Sequence, residues 1–467
     1  MRLDRSAGLG GQIYRQLRDA VLDGRLRQDE VLPSSRELAE QLRVSRNTVT
    51  AAYERLIAEG YLVGRAGAGT FVNALSLAEP AGPQPPPGAL TPRATWSPMP
   101  VPPDFGNAPE FDFRVGAPDA RLFPYAAWRR LLANQLRPSA VGTGMPAEPA
   151  GHLGLRTAIA RHLRTARTIE TDPRDVLVTS GVQQALDLIG RVLLEPGLTV
   201  AIEEPGYAPP RLVWESQGAR VVGVPVDQQG LIVDALPPDA RLVYVTPSHQ
   251  YPTGVALSLR RRVELLAWAQ RHDAAIVEDD YDSEFRYTEQ QLEPLHSLDR
   301  SGRVVYVGSF SKVLLPTLRL GFVIHPPSLR RALHAAKFLT DWHTSLPIQA
   351  AMAGFLEQGL FGRHLRRVRR VYRERHDRIA AALAGPLSAH LTAVPSAAGL
   401  HLSATVRRGA AADALARARA GGVGVASFPE IATAAADSPG VVFGYGMIDT
   451  PRIDEGLARL LRCLDSN

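Results

Sequence analysis

Residues 304–321 read VVYVGSFSKVLLPTLRLG, and the fold of this 467-residue chain can be worked out from that stretch. It opens on an apolar, β-branched and aromatic run, as expected of a strand buried on both faces within a parallel sheet. Ser309, Ser311, Lys312 and Arg319 follow at the strand's carboxyl end, where open α/β sheets bind their ligands. Of the 53 lysines and arginines, only two are lysines, Lys312 and Lys337. Arginine stays protonated, whereas a lysine amine can lose its proton and attack a carbonyl. Lys312 is therefore the candidate catalytic residue.

Upstream, five more short apolar runs alternate with helical patterns. They begin at Val176, Thr199, Arg220, Leu242 and Ala275. This alternation predicts an α/β fold with a mostly parallel sheet between helices. The run at Val176 ends in Thr179-Ser180-Gly181-Val182, a strand-to-helix turn that offers N–H groups and a helix dipole to an anion. The run at Ala275 ends in Glu278-Asp279-Asp280-Tyr281, which puts carboxylates at a strand end.

One cofactor, pyridoxal phosphate, needs all of these parts. Its aldehyde needs a lysine (Lys312) to form an aldimine. Its ring nitrogen needs an acid to stay protonated, and its ring hydroxyl needs a donor. Its phosphate needs a cup, for which Ser180, Gly181, Val182, Ser309, Ser311 and Arg319 are candidates. Tyr207, in Glu203-Glu-Pro-Gly-Tyr207, can stack on the ring. The histidines show no metal-ligand spacing, and no metal site is expected.

A chain of this length predicts two or three domains. Prolines crowd residues 77–108, which predicts a semi-extended linker between a domain at 1–76 and one at 109–467. The single cysteine, Cys463, excludes internal disulfides. No apolar run has transmembrane length and the N-terminus is not a signal peptide, so a cytoplasmic protein with no membrane partner is expected. The net charge of +6 permits nucleic-acid binding without requiring it.

Residues 1–76 read as helix, short helix, turn, helix and hairpin. Ile13, Leu17, Ala20 and Val21 form the first stripe. Ser34 and Glu37 make a capping box, and Ser45 caps the third helix. Val49, Ala52, Tyr53, Leu56 and Ile57 are spaced for that helix's buried face. Two short strands flank a tip at Gly64 to Thr70. This is the winged helix-turn-helix layout. It leaves Arg46, Asn47 and Thr50 outward at the start of the reading helix, with Ser45 and Thr48 beside them. Arg46 can bond guanine and Asn47 adenine, or either can contact phosphate. Arg36 is placed for a phosphate, and Arg65 and Gly67 lie on the wing. Charge argues weakly here, with eleven arginines against nine acidic residues in the first 75.

Leu32-Pro-Ser-Ser-Arg-Glu-Leu-Ala39, Val44-Ser-Arg-Asn-Thr-Val49 and the wing Gly67-Ala-Gly-Thr-Phe71 resemble the GntR family of bacterial regulators. From about Phe111 onward the chain resembles fold-type I aminotransferases. The matching strings are Phe113–Asp119, Pro149–Arg156, Thr246–Gly254, Glu278–Phe285 and Ser309–Lys312. Together the two parts resemble the MocR subfamily, and the resemblance covers nearly the whole chain. It implies a fold-type I transferase domain with a smaller C-terminal α/β subdomain, Asp279 on the ring nitrogen and Tyr281 on the ring hydroxyl. It also implies a homodimer, head to tail with exchanged reading heads. The expected partners are a double-stranded DNA operator and a small amine or amino-acid effector, or the cofactor itself as effector. The effector would be sensed through the aldimine at Lys312 without required turnover. The rival expectation is an active aminotransferase with an accessory DNA-binding head.

The chain departs from the aminotransferase pattern in three places. Tyr251 stands where Asn-Pro-Thr-Gly has its asparagine. Val442 aligns with the arginine that grips a substrate carboxylate, and Pro146 with the tyrosine that reaches the neighbouring subunit's phosphate. Losing that carboxylate clamp removes roughly 1.5–3 kcal/mol of anchoring. Arg114, beside Gly116, is the candidate substitute for the effector. The arginine-rich stretch 363–378 reads as a solvated helix or one crossing between subdomains.

Overall fold

A computed structural model describes residues 3–5, 8–73, 90–101, 108–141, 144–145, 147–287, 293–396, 398–407, 411–431 and 440–465. The chain divides into two units, Met1–Pro92 and Arg93–Asn467. Residues 77–89 and 102–107, most of the expected linker, lie outside the described residues.

The first unit contains helices α1 (Leu9–Leu22), α2 (Ser35–Leu42) and α3 (Arg46–Ala58), with strands β1 (Val31–Leu32), β2 (Leu62–Arg65) and β3 (Gly69–Val72). Ile13, Leu17 and Val21 pack on Leu38, Val49, Tyr53 and Leu56 in one core. The capping box forms as expected. Ser34 Oγ accepts the Glu37 N–H at 3.2 Å, and a Glu37 oxygen accepts the Ser34 N–H at 2.8 Å. Arg43 takes a left-handed conformation, φ +53°, which ends α2 and turns the chain. Ser45 then caps α3 by accepting the Thr48 N–H at 3.2 Å. Strands β2 and β3 pair antiparallel as the wing. Two details differ from expectation. β1 adds a third strand against β3, because a two-residue strand is too short to leave a periodic trace. Ile57 is 40% exposed, because the buried stripe of α3 ends at Leu56.

The second unit is built on eight strands: β4 (Val176–Thr179), β5 (Thr199–Glu204), β6 (Arg220–Asp227), β7 (Gly230–Leu231), β8 (Ala240–Val245), β9 (Ala275–Asp280), β10 (Val304–Ser309) and β11 (Gly321–Ile324). Their order is β4-β11-β10-β9-β8-β5-β6-β7. The pairs from β6 through β10 are parallel. All six expected strands are present. Two strands lie outside that expectation: β7, which pairs antiparallel with β6, and β11, which runs antiparallel between β10 and β4. A four-residue apolar run says nothing of its own direction, which only its neighbours decide.

Apolar layers cover both faces of this sheet. Leu177, Ile202, Tyr244 and Val277 pack with Leu186, Ile189 and Trp214, whereas Ala201, Val243 and Ile276 pack with Leu265 and Trp268. A smaller antiparallel sheet near the C-terminus joins Leu391–Ala393, His401–Val406, Gly440–Gly444 and Ala426–Ser427. The arginine-rich stretch is one helix, Leu360–Ala384, that buries Leu365, Val368, Tyr372 and Ile379. Its Arg375 is the buried exception to an exposed arginine face and pairs with Asp119 at 2.7 Å. Among the described residues, no helix is long and apolar enough to cross a membrane.

Candidate functional site

Strands β4, β5, β8, β9 and β10 deliver their carboxyl-end loops to one pocket, and the strand period decides what each contributes. On β9, successive side chains alternate between faces. Glu278 accepts the N–H groups of Leu295 and His296, while Asp280 takes Arg167 at 2.7 Å and the Tyr306 hydroxyl at 2.5 Å. Asp279, between them, is held by the Tyr244 hydroxyl at 2.7 Å on Oδ2. Its other oxygen, Oδ1, is buried without a hydrogen bond. Burial pushes the Asp279 pKa up to about 7, despite the bond from Tyr244. A buried bare carboxylate oxygen is costly unless an N–H or a cation meets it.

Lys312 follows β10, and its Nζ donates to the Gly116 carbonyl at 2.6 Å. Burial lowers its pKa, and the carboxylates of Asp282 and Asp279 act against that shift. The balance favours an amine that gives up its proton more readily than a surface lysine. Gly116 has φ +105°, and a Cβ there would stand 3.6 Å from Nζ.

Across the pocket, Gly181 has φ +85° and precedes the helix Val182–Leu193. Arg319 donates to the Ser180 carbonyl at 2.8 Å. A Cβ on Gly181 would lie 3.1 Å from that guanidinium, and the φ of +85° itself favours glycine there. Ser309 Oγ accepts the Ser311 N–H at 3.1 Å. Tyr207 meets Tyr251 edge-on with centroids 5.5 Å apart, and Tyr251 in turn meets Tyr281 at 6.3 Å. The Tyr281 hydroxyl donates to the His249 carbonyl at 2.9 Å.

An amine, an acid with a bare buried oxygen and an anion cup thus share one pocket. They fit a group with a ring nitrogen that can carry a proton, a carbonyl across the ring from it and an anionic arm next to that carbonyl, as pyridoxal phosphate has. When bound, that cofactor supplies an electron-drawing ring and a carbonyl that captures amines.

Several contributors went unmarked in the sequence. Tyr244, inside a strand run, reads as core until its hydroxyl is found on Asp279. His249 and Asp282 pair at 2.9 Å beneath Tyr281, and a Cβ on Gly399 would collide with both. Both lie in strings already singled out, but neither carries a signal for this contact. Arg114, the candidate effector clamp, places Nε and Nη2 on Asp112 at 2.9 and 2.8 Å. Val442 is buried in the smaller sheet opposite Ser403. Pro146 lies outside the described residues.

In the first unit, Arg46 and Asn47 are exposed at the start of α3. Arg46 Nε reaches Ser35 Oγ at 3.5 Å, and the Ser45 and Thr48 hydroxyls share a proton at 2.7 Å. Thr50 is half-buried on the same helix. Arg36 pairs with Glu40 at 3.4 Å, and Arg65 pairs with Asp29 at 2.6 Å while lying over the Phe71 ring. Exposed pairs of this kind contribute about 0–1 kcal/mol and give way readily to a phosphate. Gly67, φ +74°, forms the wing tip with open space around it.

Comparison with known proteins bears on both units. Residues 9–72 match the bacterial regulatory proteins of the gntR family, and residues 143–434 match aminotransferase class I and II. The chain is 38% identical to the probable rhizopine catabolism regulatory protein MocR of Rhizobium meliloti, over 98% of this chain and 94% of that protein. It is 35% identical to the pyridoxine biosynthesis transcriptional regulator PdxR of Corynebacterium glutamicum, over 78% and 77% of the two chains. Among solved structures it is similar to the α-aminoadipate aminotransferase LysN of Thermus thermophilus, complexed with N-(5'-phosphopyridoxyl)-L-leucine. That match has a TM-score of 0.68 and 32% identity over 75% of this chain and 91% of that one. The fold is that of fold-type I aminotransferases, whose cofactor is pyridoxal phosphate, and residues 9–72 form a DNA-binding domain.

Proposed function

The chain belongs to the MocR-type GntR transcriptional regulators, and from that premise we propose that it senses a small amine or amino acid at Lys312 and adjusts its grip on a DNA operator accordingly. The observation that supports this reading is a buried Asp279 with one bare oxygen, whose carboxylate acts on the amine of Lys312. Asp279 would face the ring nitrogen and Tyr281 the ring hydroxyl. Ser180, Gly181, Val182, Ser309, Ser311 and Arg319 would hold the phosphate, and Tyr207 would cover the ring. Arg46 and Asn47 would contact bases or phosphate, Arg36 a phosphate, and Arg65 on the wing a minor groove or the backbone, with Ser45, Thr48, Thr50 and Gly67 also on the DNA-facing surface. The working unit would be a cytoplasmic homodimer, with a head at 1–76, a linker at 77–108 and a sensing domain at 109–467.

Capture of an amine needs a nucleophilic lysine that can be displaced, and burial prepares Lys312 for that. Turnover needs more. Val442 offers no charge to a substrate carboxylate, and Asp112 occupies Arg114. These two residues favour a sensor over an active aminotransferase. Arg114 and Gly116 remain the effector contacts to test, with the Arg114–Asp112 pair opening to admit a carboxylate. A second reading, with the cofactor itself as effector, draws on the relative whose name ties it to pyridoxine biosynthesis.

The deciding experiment loads wild type and Lys312→Ala with pyridoxal phosphate and records the visible spectrum. Wild type should show the band of the lysine-linked cofactor and the variant should lack it. A band that persists in the variant removes Lys312 from the site.

A further inference from the structure

The chain's other lysine, Lys337, is 0% exposed and lies on the helix Arg330–Asp341. Its Nζ reaches Asp341 Oδ1 and Oδ2 at 2.6 and 2.8 Å, Gln184 Oε1 at 2.9 Å and Thr344 Oγ1 at 3.1 Å. Gln184 and Thr344 both touch Ser180. Gln184 Oε1 accepts the Ser180 N–H at 2.7 Å, and Thr344 Oγ1 lies 3.3 Å from Ser180 Oγ.

An ammonium has donors only, which gives this network a direction. Thr344 Oγ1 accepts from Lys337 and keeps its own proton for another acceptor, and Ser180 Oγ at 3.3 Å is within its reach. In that arrangement the Ser180 hydroxyl proton is free to point at a group in the cup. The amide of Gln184 is oriented in the same way. Its oxygen faces Lys337 and Ser180, and its Nε2 donates to Asp341 Oδ2 at 2.8 Å. Asp341 offsets the charge of Lys337, so what the lysine contributes to the cup is orientation. A planar guanidinium is larger and presents its donors in a flat fork, which cannot meet acceptors gathered around one buried point. This accounts for a lysine at 337 in a chain whose only other lysine is Lys312.

We propose that Lys337 is a positioning residue for the cofactor's phosphate, holding Thr344 and Gln184 so that the Ser180 hydroxyl donates into the cup formed with Gly181 and Arg319. The role rests on the pocket reading above, with the phosphate at Ser180. It adds a buried layer behind the cup.

The test titrates the full-length apoprotein with pyridoxal phosphate and, separately, with pyridoxal, which lacks the phosphate. Visible absorbance reports binding of each. Lys337→Met should weaken pyridoxal phosphate roughly tenfold while pyridoxal stays within about twofold of wild type. Thr344→Val, which keeps the lysine and the side-chain shape, should shift the same preference in the same direction, and it carries the test if Lys337→Met does not fold. A role in stability alone would weaken both ligands equally, and that result overturns the proposal. Unchanged preference in both variants, with a normal wild-type band, also overturns it while leaving the pocket reading intact. No band in wild type with either ligand overturns the pocket reading and this role together.

Discussion

At Asp279 one carboxylate oxygen stays inside the molecule without a hydrogen bond, and its pKa stands at about 7. The unfolded chain would ionise this group near the usual carboxylate value of about 4. The folded apoprotein therefore holds the extra proton. Its contribution to stability is full below about pH 4 and is lost as pH rises through about 7. Asp279→Asn should flatten that part of the dependence, measured as denaturant midpoints of the two apoproteins at pH 5.5 and pH 8. If the two fall in parallel, Asp279 is not the titrating group. Residue chemistry was partly legible beforehand. Lys312 stood out by rarity, whereas the strand end offered Glu278, Asp279 and Asp280 alike and only the family resemblance chose among them. Tyr244 did not, because a tyrosine within an apolar strand run looks the same whether its hydroxyl meets water or a buried acid.

Elements were more legible than contacts, because caps and stripes are local. The Ser34–Glu37 box, the Ser45 cap and, apart from Ile57, the buried faces of α1 and α3 follow from spacing alone. Ser34→Ala should cost the first unit about 1 kcal/mol, read as a lower midpoint in its thermal transition within the full-length protein. An unchanged midpoint would mean the cap does not limit α2. On the exposed end of α3, Arg46→Ala should weaken operator binding by about 1–3 kcal/mol with the visible cofactor spectrum unchanged. Equal operator affinity in the two proteins would take Arg46 off the reading surface. β1 and β11 mark the limit of this scale. Two residues carry no period, and four apolar residues carry no direction.

For the whole molecule, a sensor requires that one ligand alter two properties at once. Amines and amino acids that shift the visible band of the loaded protein should also change its operator affinity, measured by anisotropy at fixed salt. Ligands that shift the spectrum and leave operator affinity untouched would separate the pocket from regulation. Sustained transfer of an amino group to a keto acid would instead favour the enzyme reading.

The sequence by itself determined the α/β class, the reading head and six of the sheet's strands, and it offered Lys312, the carboxylates of residues 278–280 and the Ser180 turn as candidates for one cofactor. These depend on local periodicity and on residue types that only certain chemistry needs. The tertiary structure decided what depends on distance between remote segments. It put Tyr244 on Asp279 and the Gly116 carbonyl on Lys312. It committed Arg114 to Asp112 and set Lys337 against Thr344 and Gln184, next to Ser180. A hydrogen bond between residues 153 positions apart, such as Lys337 to Gln184, leaves no mark in either neighbourhood. The pair of lysines was visible from the start, and only packing showed that Lys337 reaches Ser180 through Gln184 and Thr344.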